Sequence, residues 1–144
     1  MRGSFRYLFL LLLGCGGSAP PALPPAPVAS DDRVNEIIAA ALEADARMDA
    51  ADTLYTPEAA IVANGSDRGT LPRYAGVQPG GAIAVTASRL EVRGGVAWAQ
   101  VEYRWVATRE GIAREGRVTF VLVPDERGAW RIRHAHSSTA RPDS

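Results

Sequence analysis

The chain has 144 residues, with a single cysteine and no lysine. One cysteine cannot form an internal disulfide, and once Cys15 is modified no thiol remains for catalysis. The 16 basic and 16 acidic residues balance. This balance argues against a nucleic-acid partner, because such binding depends on a positively charged surface. The apolar run that ends at Leu13 is too short to span a membrane, which takes about 20 residues.

The cysteine stands at the end of a secretory signal. Two arginines precede a short apolar stretch that closes with Leu12-Leu13-Gly14-Cys15, and this order is typical of an exported precursor. Those last four residues resemble a bacterial lipobox, in which the cysteine is lipidated and becomes the first mature residue. The alternative is an ordinary signal peptide with Cys15 as a bystander. We expect a lipoprotein signal peptide over 1–14 and an anchor at Cys15 in the cell envelope. The periplasmic side of the outer membrane is favoured, because Gly16 rather than an aspartate follows.

The rest of the chain divides by composition. Residues 15–29 contain five prolines, which favour an extended tether between the lipidated cysteine and the domain. Residues 30–140 suit one small domain with a single core. Residues 141–144 form a short tail.

Periodicity predicts a helix followed by strands. Apolar residues recur at helical spacing up to Met48, which indicates a helix over about 30–50, followed by a break or short second helix before Pro57. Asn64-Gly65 is a strong hairpin signal. The predicted strands cover 59–63, 70–76, 83–92, 96–108, 114–123 and 130–138. A helix followed by a long antiparallel meander is an α+β arrangement, with the helix covering one face of a curved sheet.

Two strands have informative faces. In the strand from Val96, alternation places Ala97, Ala99, Val101, Tyr103 and Trp105 toward the helix. The same alternation turns Trp98 outward, where it is either a partner surface or covered by the tether or a neighbouring strand. In the last strand, the pattern predicts one inward face that carries Trp130, Ile132, His134 and His136. Imidazoles on a core-facing strand need partners or water and often mark a cavity.

Two segments carry a family resemblance. Trp130–Ser138 resembles the closing strand of the SnoaL-like branch of the nuclear transport factor 2-like superfamily, and Leu54–Ala60 resembles its helix-to-strand junction. The resemblance covers about residues 31–138. It implies a cone-shaped, strongly bent antiparallel sheet packed on N-terminal helices, with a pocket at the open end. It also implies a homodimer formed through the outer sheet face. Because this superfamily includes isomerases, dehydratases, cyclases, ligand carriers and assembly domains, the fold alone does not assign a function.

The favoured hypothesis is a membrane-tethered domain that binds a small, partly apolar ligand in the cone pocket. We expect no cofactor and no metal. Zinc would need a third ligand beside His134 and His136, which lie about 7 Å apart along the strand. The candidate pocket residues are Tyr55, Tyr103, Trp105, Arg117, Thr119, His134 and His136.

Two alternatives stay open. An isomerase or dehydratase would use pocket tyrosines as hydrogen-bond donors and a histidine as the base, but no aspartate stands where the family's base would be. A non-catalytic, dimeric envelope interaction protein would have a closed cone without a cavity.

Overall fold

A computed structural model describes residues 31–109 and 111–140. Helix α1 spans Asp31–Ala46 and is followed by a single 3-10 turn, Asp52–Leu54. Within these residues, no helix combines the length and apolar character needed to cross a membrane. The six strands are β1 (Tyr55–Ala63), β2 (Ser66–Asp67), β3 (Gly81–Arg93), β4 (Val96–Ala107), β5 (Ala113–Pro124) and β6 (Trp130–Thr139).

The strands form one sheet in the order β2-β1-β6-β5-β4-β3, and α1 packs against its inner face. The predicted α+β class, with a curved sheet on an N-terminal helix, is confirmed. The expectation of a purely antiparallel sheet is wrong in one pairing, because β1 runs parallel to β6. The meander from β3 to β6 returns the chain beside β1 in the same direction, so the sheet is mixed.

The predicted inner face of β4 is confirmed. Its five alternating residues are at most 3% exposed. The small side chains of Ala97 and Ala99 suit a strand that packs beneath a helix. The apolar stripe of α1 joins the same core as the inner faces of β4, β5 and β6. The core residues that α1 supplies are Val34, Ile37, Ile38, Ala41, Leu42 and Ala46.

The strand predicted over residues 70–76 is absent; these residues form turns. The hairpin at Asn64-Gly65 is present, but it leads only into the two-residue β2. In residues 70–76 a side chain supplies the acceptor that a neighbouring strand would have supplied. The Asp45 carboxylate accepts the backbone N–H groups of Arg73 at 2.7 Å and Tyr74 at 3.0 Å. A segment whose donors are used in this way has no need of a strand partner.

We call residues 73–77 the inner segment, because they cross the inner face of the sheet. Three of them, Tyr74, Ala75 and Val77, are buried. Beyond Asp45, the segment is held by the Ser137 hydroxyl, which accepts the Ala75 N–H at 3.0 Å. The Tyr103 hydroxyl donates to the Ala75 carbonyl at 2.6 Å. The inner segment therefore fills the space between α1 and the sheet.

A β-bulge in β6 reverses the predicted face of its second half. Val121 of β5 pairs with His134, whereas its neighbour Leu122 pairs with Ile132, so Arg133 is one extra residue in β6. Such a bulge shifts the alternation by one position. Trp130 and Ile132 point inward as predicted, but beyond the bulge the buried residues are Ala135 and Ser137.

We predict that Asp45→Asn lowers the free energy of unfolding by roughly 1–3 kcal/mol. The carboxylate is 1% exposed and each of its oxygens accepts one backbone N–H. An amide keeps only one acceptor oxygen, so one buried N–H loses its partner. Urea unfolding measures the change. Asp67→Asn, at an exposed position in β2, is the matched control, and an equal loss in both variants would contradict this role.

Burial raises the pKa of the Asp45 carboxyl above its ordinary range, more than the two N–H donors and Arg73 lower it. The folded state therefore binds this proton more tightly than the unfolded chain does. Its contribution to stability is present below the ordinary pKa of about 4 and is lost as the pH rises through the raised value. The stability advantage of wild type over Asp45→Asn should shrink as the pH rises above about 4. Urea unfolding across that range tests the sign, and an advantage that grows with pH would contradict it.

Candidate functional site

The structure does not bring the seven predicted pocket residues together. Tyr103 and Trp105 are buried on the inner face, and Tyr55 is half-buried at the start of β1. The other four lie on the outer face of the sheet, away from α1. These four are Arg117, Thr119, His134 and His136.

Each outward position has a physical reason. Val118 and Phe120 take the inner face of β5, so Arg117 and Thr119 alternate outward. There Arg117 donates to the Glu102 carboxylate at 2.7 Å. The expectation that the two histidines of β6 point into the cone is wrong, because the bulge at Arg133 turns them outward. They pair across the sheet with outward residues of β5.

The two inward aromatic residues have no free polar atom. The Tyr103 hydroxyl donates to Ala75, and the Trp105 indole N–H donates to the Gln78 carbonyl at 3.0 Å. Burial raises the pKa of Tyr103 far above its usual range, so the phenol stays protonated. The Tyr103 ring lies directly against Gly116 of β5, where a methyl group would not fit. Both residues therefore serve as core packing, with their donors used to fix the chain around the inner segment.

An open cleft of about 450 Å³ lies beside Tyr55, the remaining predicted residue. We call it the Tyr55 cleft. It runs between the start of β1 and the chain just before the inner segment. It is lined by Asp52, Tyr55, Thr56, Pro57, Ala59, Ile61, Arg68, Gly69 and Arg73. The lining mixes apolar surface with hydroxyl and guanidinium groups, as small-molecule sites do.

The Tyr55 hydroxyl is available as a donor in this cleft. It lies 2.8 Å from the Tyr74 hydroxyl. Tyr74 is 2% exposed, and among the described residues its hydroxyl has no other acceptor. If Tyr55 donated, the Tyr74 proton would be buried without a partner, which is costly. Tyr74 therefore donates to Tyr55, and the Tyr55 proton is left for a group in the cleft. Burial raises the pKa of both phenols, so both stay neutral.

Arg73 fixes the Tyr55 ring. Its guanidinium lies over the ring, 4.7 Å from the centroid, a favourable cation–π geometry. It also donates to the Ala50 carbonyl at 2.6 Å and to the Asp52 carboxylate at 2.8 Å. Only 12% of the Arg73 side chain is exposed, and these contacts hold its guanidinium over the Tyr55 ring. The cleft is thus preorganised on this side.

A second cleft, of about 460 Å³, includes Tyr103 and Arg117. It is a weaker candidate because the two predicted residues in it already have partners. Arg117 is paired with Glu102, and the Tyr103 hydroxyl is bound to the inner segment. In the Tyr55 cleft, by contrast, the predicted residue itself has an available proton.

Sequence reasoning missed Asp45, Arg73 and Tyr74. The segment that carries Arg73 and Tyr74 was expected to be a strand, which hid their role. A usable signal was present in Asp45, since a carboxylate near the apolar stripe of a helix requires buried donors.

The chain belongs to the SnoaL-like domain family, whose model matches residues 32–142. No curated protein matches it in sequence. A nuclear transport factor 2-like superfamily protein from Salmonella enterica serovar Typhimurium is 18% identical, with a TM-score of 0.61, over 78% of this chain and 92% of that one. A ketosteroid isomerase-like protein from Erwinia carotovora atroseptica is 15% identical, with a TM-score of 0.56, over 77% and 96%.

A third structure, a nuclear transport factor 2-like protein with a cystatin-like fold from Novosphingobium aromaticivorans, is 12% identical, with a TM-score of 0.61, over 78% of this chain and 83% of that one. At these identities the structures show a shared fold. The resemblance seen in the sequence, to the SnoaL-like branch of this superfamily, is confirmed.

If Tyr74 donates to Tyr55, removing one hydroxyl or the other should lower the free energy of unfolding by different amounts. Tyr55→Phe should lower the free energy of unfolding by roughly 1–3 kcal/mol, because the buried Tyr74 hydroxyl loses its acceptor. Tyr74→Phe should cost less, because Tyr55 is only half-buried and the hydroxyl that loses its partner is less enclosed than that of Tyr74. In Tyr55→Phe/Tyr74→Phe the cost should be smaller than the sum of the two. Chemical unfolding of the three variants measures these differences. A larger loss of stability in Tyr74→Phe would indicate that Tyr55 donates to Tyr74.

Proposed function

We propose that this protein is a membrane-tethered domain that binds a small, partly apolar ligand in the Tyr55 cleft. The available Tyr55 hydroxyl supports this proposal most directly. A half-buried donor without a protein acceptor is ready to orient a ligand oxygen. Arg73 and Tyr74 hold that hydroxyl in place, so little ordering is required when a ligand binds.

The cleft also offers apolar surface. Pro57, Ala59 and Ile61 follow Tyr55 along β1 and line one wall. A ligand with a compact apolar body and one polar group would cover this wall and meet the hydroxyl.

An isomerase-type reaction is the second candidate. Because Tyr74 donates to Tyr55, the pair forms a hydrogen-bond relay of the kind that stabilises an oxyanion. The base is the weak point of this proposal. The histidines expected to act as bases lie on the outer face, and both oxygens of the buried Asp45 accept backbone N–H groups. Asp52 lines the cleft but is paired with Arg73. These positions favour binding over catalysis.

The tether is proposed from the sequence. Residues 1–14, the sole cysteine and five prolines before residue 30 support a lipid anchor with a spacer. Each buried methylene of an acyl chain contributes about 0.8 kcal/mol to membrane affinity. A lipidated Cys15 would hold the Tyr55 cleft close to the membrane surface.

The binding proposal predicts a ligand that copurifies with the protein. We expect native mass spectrometry of the protein from its own host to show a bound small molecule, and Tyr55→Phe to reduce its occupancy by roughly 10-fold through loss of one hydrogen bond. His136→Ala, on the outer face, is the matched control and should keep full occupancy. Equal loss in both variants, or an empty wild-type protein, would count against this site.

The anchor proposal predicts that Cys15→Ser abolishes membrane attachment. Without the thiol no acyl chain can be added, so the protein should leave the detergent-rich phase in a detergent-partition assay. Wild type should remain there. Metabolic labelling with a fatty acid should mark wild type alone, and labelled Cys15→Ser would contradict the assignment of the lipidation site.

A further inference from the structure

We infer that the ligand of the Tyr55 cleft carries a single carboxylate, with Arg68 as the group that pairs with it. This inference rests on the proposed binding function and specifies the class of ligand. It comes from the charges and hydrogen bonds that the protein leaves incomplete in the cleft.

One of the two cations in the lining has no ion-pair partner among the described residues. Arg73 and Asp52 form an ion pair at 2.8 Å and neutralise each other. Arg68 also lines the cleft, and no described carboxylate lies within ion-pair distance of its guanidinium. The Arg68 backbone N–H donates to the Ile61 carbonyl at 2.8 Å, which fixes the backbone position of Arg68 beside β1. The cleft therefore has a net charge of about +1, which suits a monoanion better than a dianion.

The uncharged polar groups point to the same ligand. The Thr56 hydroxyl oxygen is buried and, among the described residues, has no hydrogen-bond partner. Buried hydroxyls without a partner are rare, and such a group indicates a ligand or water that the protein expects. Tyr55 contributes its available proton from the adjacent position of β1. The lining thus offers the Tyr55 hydroxyl and a planar guanidinium, and the buried Thr56 hydroxyl becomes a third donor when its side chain turns toward the ligand.

A carboxylate matches this donor set. A guanidinium binds both oxygens of a carboxylate in a bidentate fashion, and each oxygen keeps a lone pair for a hydroxyl donor. The apolar wall formed by Pro57, Ala59 and Ile61 would receive the rest of the molecule. Arg68 is exposed and hydrated in the empty cleft, so a neutral ligand would gain no ion pair from it.

Benzoate and benzamide are suitable probes, because they share a shape and differ in charge. The full-length Cys15→Ser chain, labelled with ¹⁵N, is titrated with each, and the backbone amides of Gly69 and Arg73 report on the cleft. We expect the shifts of these amides to give benzoate a dissociation constant roughly 10-fold lower than that of benzamide. Added salt should weaken the benzoate interaction.

Three variants assign the roles. Arg68→Gln should weaken benzoate binding by at least roughly 10-fold while leaving benzamide unchanged. Arg127→Gln, an exposed arginine in the β5–β6 turn, is the matched control and should have no effect. Thr56→Val should weaken benzoate binding without lowering the melting temperature, because its hydroxyl has no protein partner to lose.

The outcomes separate this inference from the proposed function. Equal binding of benzoate and benzamide would overturn the carboxylate and leave a binding cleft. Binding of benzoate that survives Arg68→Gln would overturn the role of Arg68. If neither probe shifts the cleft amides, the carboxylate inference fails. The proposed function then stands or falls with the copurified ligand, and a neutral ligand lost in Tyr55→Phe would keep the function.

Discussion

The buried carboxylate of Asp45 is the interaction on which the rest of this structure depends. Placing a carboxylate out of water is costly unless donors replace the lost hydration. Here the donors are the consecutive backbone N–H groups of Arg73 and Tyr74. Asp45 lies in the last turn of α1, so the helix and the inner segment are joined at one point.

That attachment decides where two side chains lie. With both backbone groups facing Asp45, Tyr74 is buried beside Phe120, with ring centroids 5.5 Å apart, and its hydroxyl reaches Tyr55. Arg73 instead covers the outer side of the Tyr55 ring. Two neighbouring residues therefore hold Tyr55, one at its hydroxyl and the other over its ring. The inner segment closes the interior of the cone and displaces the candidate site from the centre of the sheet to the edge near β1.

The sequence could predict features that depend on local periodicity. The alternation of β4 identified its five inward residues. The bulge in β6 could not be predicted, because Arg133 occupies a strand pattern without glycine or proline to mark it. One extra residue was enough to place His134 and His136 on the opposite face.

The position of Asp45 near the apolar stripe of the helix signalled a need for buried donors, but the sequence could not identify those donors. Its partners lie 28 and 29 residues further along the chain, and they are backbone groups, which carry no mark in a sequence. Residues 70–76 were expected to form the strand that follows the Asn64-Gly65 hairpin, and in such a strand their N–H groups would have bonded within the sheet. A side chain satisfied two of them instead. Competition for backbone donors, rather than intrinsic propensity, therefore determined the structure of this segment.

The bulge also changes what the outer face can do. Across the sheet, Trp98 pairs with Val121, and Val121 pairs with His134, so the indole lies in one row with an apolar side chain and an imidazole. Had the strand been regular, the imidazoles would have needed partners inside the core. Turned outward, they meet solvent instead, and the interior positions pass to Ala135 and Ser137. Ser137 uses its hydroxyl to hold Ala75. One inserted residue in β6 thus supplies a support of the inner segment and moves two titratable groups to the surface.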